Sequence, residues 1–141
     1  EGEICLMMLD GQVGAVGFGL DLTKRATQAK LKAAGLPWER SKAFTGSALF
    51  SDFVPAPKSL DQLGIELQVD GSLRQKGDVS LMLYPPLIIL QELAQFCQLE
   101  DYDIVMTGTP AGVGMVQAGE CFQGRILDGD HELVCAEWTA V

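Results

Sequence analysis

The chain has 141 residues, 48% of them apolar and 21% charged, which suits one folded domain spanning residues 1–141 and excludes an intrinsically disordered or collagen-like chain. Nineteen acidic residues against ten basic ones give a net charge of −9, which argues against nucleic acid as a partner, because no surface is set up to neutralise a row of phosphates. The longest apolar run, Leu81 to Leu90, is interrupted by Tyr84, Pro85 and Pro86 and is far from the ~20 residues of a membrane helix, so the sequence reads as a soluble, cytoplasmic protein.

The chain opens on Glu1-Gly2-Glu3 with no initiator Met, and a further segment is expected ahead of it. Ile4 to Met8 and Val13 to Leu22 flank Asp10-Gly11, a dipeptide that favours a tight turn, and predict an antiparallel hairpin. Thr23 to Ala34 is rich in helix formers; Asp21 or Thr23 is the expected cap, and Gly35 and Pro37 stop it. Ser41 to Pro57 has no clean period and reads as an irregular loop with short strands. Ile65 to Val69, the Asp70-Gly71 turn and Leu73 to Gln75 predict a second hairpin.

Pro85-Pro86 suits the first turn of a second helix, with Leu87, Leu90, Leu93, Ala94 and Cys97 on one apolar face. Asp103 to Met106 reads as a buried strand that runs into the glycine-rich Thr107 to Gly114. Strands around Phe122 to Ile126 and Leu133 to Val141 close the chain across Asp128-Gly129-Asp130. Many short strands with two helices predict an α+β fold, mainly β, dominated by antiparallel sheet. The four cysteines form no C-x-x-C pair and are expected to be reduced and buried. With a single histidine, His131, in an Asp-His-Glu turn where a surface role is expected, any metal must be held by oxygen.

Four segments carry candidate chemistry. Glu1 and Glu3, two apart on a strand, project from one face roughly 7 Å apart; they are either solvated or share a divalent cation such as Mg2+ or Ca2+. Asp21, Arg25 and Gln28 follow at i, i+4 and i+7. They make either an exposed helix face with an ordinary ion pair or a third carboxylate ligand with two groups facing an anionic substrate. Lys42, between apolar residues, either snorkels at the surface or points into the site and pairs with the carboxylates. Thr107 to Gly114 is either a structural turn or a loop whose amides and hydroxyls approach an anion. No Gly-Lys-Ser/Thr follows it, and Gly14, Gly17 and Gly19 fall in the wrong order for a dinucleotide fingerprint.

In order along the chain, five pieces resemble the fumarylacetoacetate hydrolase family. They are Glu1-Gly2-Glu3; Asp21-Leu22-Thr23-Lys24-Arg25-Ala26-Thr27-Gln28; Gly35-Leu36-Pro37-Trp38 with Lys42-Ala43-Phe44; Val69-Asp70-Gly71-Ser72-Leu73-Arg74-Gln75; and Thr107 to Gly114. The resemblance implies a mixed β-sandwich roll with two helices and a homodimer. It implies Glu1, Glu3 and Asp21 as Mg2+ or Mn2+ ligands, with Ca2+ as an alternative ion. Arg25, Gln28 and Lys42 then line the pocket, Lys42 as the catalytic cation, and Thr109, with Thr107 and Gly108, binds the substrate carboxylate. It further implies a small anionic 2-oxo or diketo acid substrate. C–C hydrolysis of an acylpyruvate or fumarylpyruvate comes first. A decarboxylase or isomerase of the same family is the alternative, acting on oxaloacetate or another 2-oxo acid, with the isomerisations those of aromatic catabolism, and a catalytically silent dimeric binding domain is the competing reading from another class. Ala26 and Thr45 stand where many members carry Asp, the interval from Glu3 to Asp21 is shorter than in many members, and the water-activating His/Glu pair of hydrolytic members belongs to a segment before the E-x-E.

Overall fold

The computed structural model describes residues 1–141. The first hairpin forms as expected: β1 (Gly2–Leu9) and β2 (Gln12–Asp21) pair antiparallel from Gly2 opposite Leu20 to Leu9 opposite Gln12. Asp10 and Gly11 sit at φ 51° and 73°, the left-handed pair of a tight hairpin turn. The second hairpin, β5 (Leu63–Val69) and β6 (Ser72–Asp78), repeats this at Asp70 and Gly71.

Two antiparallel sheets result. One has the order β3 (Ala48–Phe50), β2, β1, β7 (Ile104–Met106), with β4 (Val54–Pro55) also on β2. The other has the order β6, β5, β8 (Cys121–Asp128), β9 (His131–Thr139). Their facing sides supply the core: Ile4 and Leu6 from β1, Val16, Phe18 and Leu20 from β2, Leu63, Ile65, Leu67 and Val69 from β5, Phe122 and Ile126 from β8. Alternation explains which residues these are, since every second side chain of a strand faces the same way. β1 is buried on both faces, so Glu3 at 5% exposure is enclosed although it points away from the core residues.

Three helices lie outside the sheets: α1 (Arg25–Ala33), α2 (Glu39–Lys42) and α3 (Pro86–Leu93). The four-residue α2 is additional to the two helices expected, and it carries Lys42. α1 begins later than expected and has no side-chain cap; its N-cap is Lys24. Asp21 belongs to β2, and the oxygens of Asp21 and Thr23 accept hydrogen bonds from Lys42 instead of capping the helix. The Asp21-Arg25-Gln28 stripe is therefore not one helix face.

The apolar face expected of α3 holds only in part. Leu90 and Leu93, with Ile89, pack against the core, while Leu87, Ala94 and Cys97 are exposed, and Cys97 lies beyond the helix end. The helix touches the sheets along one edge, anchored by buried Pro86 at its first turn. All four cysteines are free, but only Cys5 is buried, where burial pushes its thiol up to about 12. Cys97 and Cys135 are exposed and Cys121 is half-buried, because the last two point out of the second sheet. His131 is exposed at the β8–β9 turn. No helix is long and apolar enough to cross a membrane.

Candidate metal centre

Five segments meet at one end of the first sheet. Glu1 and Glu3 come from the start of β1, Asp21 from the end of β2, Arg25 from the first turn of α1, Lys42 from the end of α2, and Gly108 from the loop after β7. The hairpin register makes this possible: Gly2 faces Leu20 across the ladder and the Asp21 amide donates to the Glu1 carbonyl. The two ends of the hairpin thus bring Glu1, Glu3 and Asp21 together.

One oxygen from each of these carboxylates lies within 4.8 Å of the others. Oxygens around a Mg2+ at ~2.1 Å stand about 3–4 Å apart in octahedral geometry, so the spacing suits a small divalent cation after minor side-chain adjustment. The charge count agrees. Three carboxylates face two cations, Arg25 and Lys42, leaving a deficit that a divalent ion reverses. The donors are hard oxygens with no sulfur or imidazole among them, which favours Mg2+, Mn2+ or Ca2+ over softer metals.

Lys42 Nζ donates to Glu1 Oε2 at 2.7 Å, Asp21 Oδ2 at 2.6 Å and Thr23 Oγ1 at 2.7 Å, which uses all three ammonium protons. Burial works against its charge, but the Asp21 and Glu1 carboxylates outweigh it and push its pKa above the usual lysine value. Arg25 forks between Glu1 Oε1 and Gln28 Oε1, the latter at 3.3 Å. Burial raises the Glu1 pKa, yet Lys42 and Arg25 prevail and hold it below the normal carboxylate range. Glu3 is different. Desolvation and the neighbouring charges of Asp21 and Glu1 raise its pKa, opposed by the Gly108 amide, which donates to Glu3 Oε2 at 2.7 Å.

The open side of the centre is a cleft of about 370 Å³ lined by Glu1, Asp21, Thr23, Arg25, Phe44 and Met115, among others. A charged floor and an apolar wall suit a small organic anion. Of the residues expected from the sequence, Glu1, Glu3, Asp21, Arg25, Gln28 and Lys42 come together here. The Thr107 to Thr109 loop borders the site from behind Glu3. Its hydroxyls are engaged with the strand: Thr107 Oγ1 donates to the Ile4 carbonyl at 2.8 Å and Thr109 Oγ1 to the Gly2 carbonyl at 2.9 Å. Two further residues belong here, Thr23, expected only as a helix cap, and Gln75, expected only as part of a hairpin strand. Thr23 lies inside the D-x-T-x-R-x-x-Q pattern and Gln75 ends the V-D-G-S-L-R-Q hairpin, and those patterns were the available signal.

Residues 12–137 match the family described as fumarylacetoacetate (FAA) hydrolase C-terminal; Glu1 and Glu3 precede that range. The chain is 40% identical over 124 residues to the mitochondrial oxaloacetate tautomerase of Homo sapiens, covering 86% of this chain and 54% of that protein. It is 38% identical over 111 residues to an oxaloacetate tautomerase of Escherichia coli K12, covering 77% and 51%. The chain spans about half the length of the curated relatives it matches. Among solved structures, the fumarylpyruvate hydrolase of Pseudomonas aeruginosa, in complex with Mn2+ and pyruvate, superposes with a TM-score of 0.88 at 34% identity, covering 100% of this chain and 64% of that one. A yeast fumarylacetoacetate hydrolase family protein superposes with a TM-score of 0.91 at 31% identity, covering 99% and 65%.

Proposed function

Since the chain belongs to the fumarylacetoacetate hydrolase family, a family of enzymes on small organic acids, we propose that it forms the centre of a Mg2+- or Mn2+-dependent enzyme that interconverts the enol and keto forms of oxaloacetate. The observation that carries this reading is the meeting of three carboxylate oxygens within 4.8 Å of one another, with Lys42 bonded to two of the carboxylates. The relatives named oxaloacetate tautomerase favour tautomerisation over the C–C hydrolysis placed first from the sequence.

In this reading Glu1, Glu3 and Asp21 hold the ion, which when bound supplies Lewis-acid polarisation of the 2-oxo acid. The remaining work falls to the chain's own side chains. Between the tautomers a proton leaves the enol oxygen and another is added at the neighbouring carbon, and negative charge develops on that oxygen in between. Lys42, held charged by Glu1 and Asp21, places a cation beside that charge. Arg25 and Gln28, hydrogen-bonded to one another at the cleft, orient the substrate carboxylates. For Thr109 to bind a carboxylate, its hydroxyl proton must leave the Gly2 carbonyl. Phe44 and Met115 give the cleft its apolar side, against which the carbon chain of the substrate packs. The homodimer and the cytoplasmic location expected from the sequence are part of this proposal; sedimentation and cell fractionation test them.

A second reading, hydrolysis of acylpyruvate or fumarylpyruvate, is favoured by the similarity to the Mn2+- and pyruvate-bound hydrolase. One assay separates the two. Enol absorbance and pyruvate release are followed together for oxaloacetate and for an acylpyruvate, with Mn2+ or EDTA, and with Asp21→Ala as the control. EDTA-sensitive loss of the oxaloacetate enol without pyruvate supports tautomerisation. Pyruvate from the acylpyruvate supports hydrolysis, and pyruvate from oxaloacetate supports decarboxylation. No difference from Asp21→Ala in any arm sinks all three.

A further inference from the structure

Gln75 lies on β6, in the sheet that carries none of the carboxylates, yet its side chain reaches the strand that carries two of them. It is 2% exposed. Its Oε1 accepts the Gly2 amide at 2.8 Å; its Nε2 donates to Thr109 Oγ1 and to the Pro110 carbonyl, both at 2.8 Å. Thr109 Oγ1 donates in turn to the Gly2 carbonyl at 2.9 Å. Gly2, Gln75 and Thr109 therefore close a ring of hydrogen bonds, with Gly2 held at both its amide and its carbonyl. Glu1 and Glu3 flank Gly2, and the Gly108 amide that meets Glu3 immediately precedes Thr109.

The backbone is fitted to this ring. A Cβ on Gly2 would stand 3.0 Å from the Phe18 ring and 3.3 Å from Gln75 Oε1, so a larger residue between the two glutamates fits only if those side chains shift by a few tenths of an ångström. At Gly112, φ is +105° and a Cβ would meet the Arg74 carbonyl at 2.0 Å, so the loop crosses β6 at backbone distance beside Gln75. Burying a primary amide costs free energy unless its groups are paired, and an apolar side chain would fill this part of the core without that demand. The amide is spent on holding the strand and the loop in register.

We propose that Gln75 is a positioning residue for the metal centre. By tying Gly2 to Thr109 it sets the spacing of Glu1 and Glu3 and the placement of the Gly108 amide against Glu3, and thereby the affinity for a divalent cation. This rests on the metal-dependent reading above. Partners that orient metal ligands are worth about 10- to 100-fold in affinity.

Calorimetric titration with Mn2+, well below the melting temperature, tests it on wild type, Gln75→Met, Thr109→Val and Thr109→Ser. The expected result is an affinity loss of about tenfold or more in Gln75→Met, a loss in Thr109→Val, and near wild-type affinity in Thr109→Ser, which keeps the bridging hydroxyl. A folded Gln75→Met with a lower melting temperature but unchanged Mn2+ affinity would make Gln75 a core filler and overturn the proposal. If Gln75→Met does not fold, the threonine pair decides: equal affinity in the Val and Ser variants overturns it, and loss in Val alone sustains it. Absence of Mn2+ binding by the wild type sinks the metal-dependent reading itself and the role of Gln75 with it.

Discussion

Lys42 is an internal counterion at the centre of the carboxylate cluster, and its removal separates binding from catalysis. A unit charge ~4 Å away at an effective dielectric constant of 20 to 80 is worth about 1–4 kcal/mol, so an ammonium beside Glu1 and Asp21 competes with any incoming cation. Lys42→Met should bind Mn2+ about tenfold more tightly by titration while its turnover falls roughly 100-fold or more, the usual cost of losing one charge-stabilising donor. Weaker Mn2+ binding in this variant would show that Lys42 organises the ligands and does not compete for them. Glu3 supports a second test with a definite sign. Its raised folded pKa means that, free of metal, stability falls as pH rises from the unfolded value near 4.5 through the folded one. Glu3→Gln keeps an acceptor for Gly108, so in EDTA it should melt higher than wild type at pH 7, with the gap closing toward pH 4.5. Glu66 acts in the opposite direction and in another window. Its hydrogen bonds with Lys76 and Arg125 lower its pKa, so its contribution is present above about 4.5 and is lost as pH falls through the folded pKa. An unchanged melting temperature of Glu3→Gln at pH 7 would remove desolvation of Glu3 as a force in this centre.

The edge of the first sheet shows what an element needs that no motif reports. β2 pairs with β4 at Ala15 and Val16 and with β3 from Gly19 to Asp21, leaving a gap at Phe18. Ser51 fills that gap: its Oγ accepts the Phe18 amide at 2.8 Å and donates to the Asp52 carbonyl, and its own amide donates to the Phe18 carbonyl. Ser51→Ala leaves a buried amide unpaired at a cost of about 1–3 kcal/mol, a drop in the urea midpoint with little change in slope; an unchanged midpoint would mean that water takes over the role. Both hairpins were legible from their Asp-Gly turns, the first flanked by two apolar stretches and the second by the alternation of Ile65 to Val69, because turn chemistry and burial act there on neighbouring residues. Ser51 was not legible, since its role depends on where two edge strands stop. The start of α1 was misjudged for the same kind of reason: Asp21 and Thr23 have the chemistry of caps, but Lys42, about twenty residues on, takes their oxygens. Glu1, Glu3 and Asp21 stood out as candidate ligands only through the family pattern, since spacing alone left a solvated strand open, and nothing local announces that Gln75 from the other sheet closes on Gly2.

At the scale of the molecule, the carboxylate cluster joins parts of the chain that the core leaves at its margin. α1 has no buried residue, and the loop after β7 reaches the site through Gly108, Thr109 and Pro110. An ion drawn to Glu1, Glu3 and Asp21 ties the open end of the first hairpin together, and through Arg25, Lys42 and Gly108 it bears on α1, α2 and that loop. The unfolded chain lacks this arrangement, so binding must raise stability. At 100 times the dissociation constant the gain is about 2.7 kcal/mol, which for a domain of this length moves the melting temperature up by roughly 5–10 °C. The net charge of −9 adds a field that draws cations toward the cleft and is screened beyond ~10 Å at 0.1 M salt. Apparent Mn2+ affinity should therefore weaken as NaCl rises from 10 to 300 mM while the shift at saturating Mn2+ persists, because the short-range ligand bonds are insensitive to screening. A melting shift that vanishes with salt would place the ion in the diffuse acidic field, and one that survives in Asp21→Ala would place it away from the carboxylate cluster.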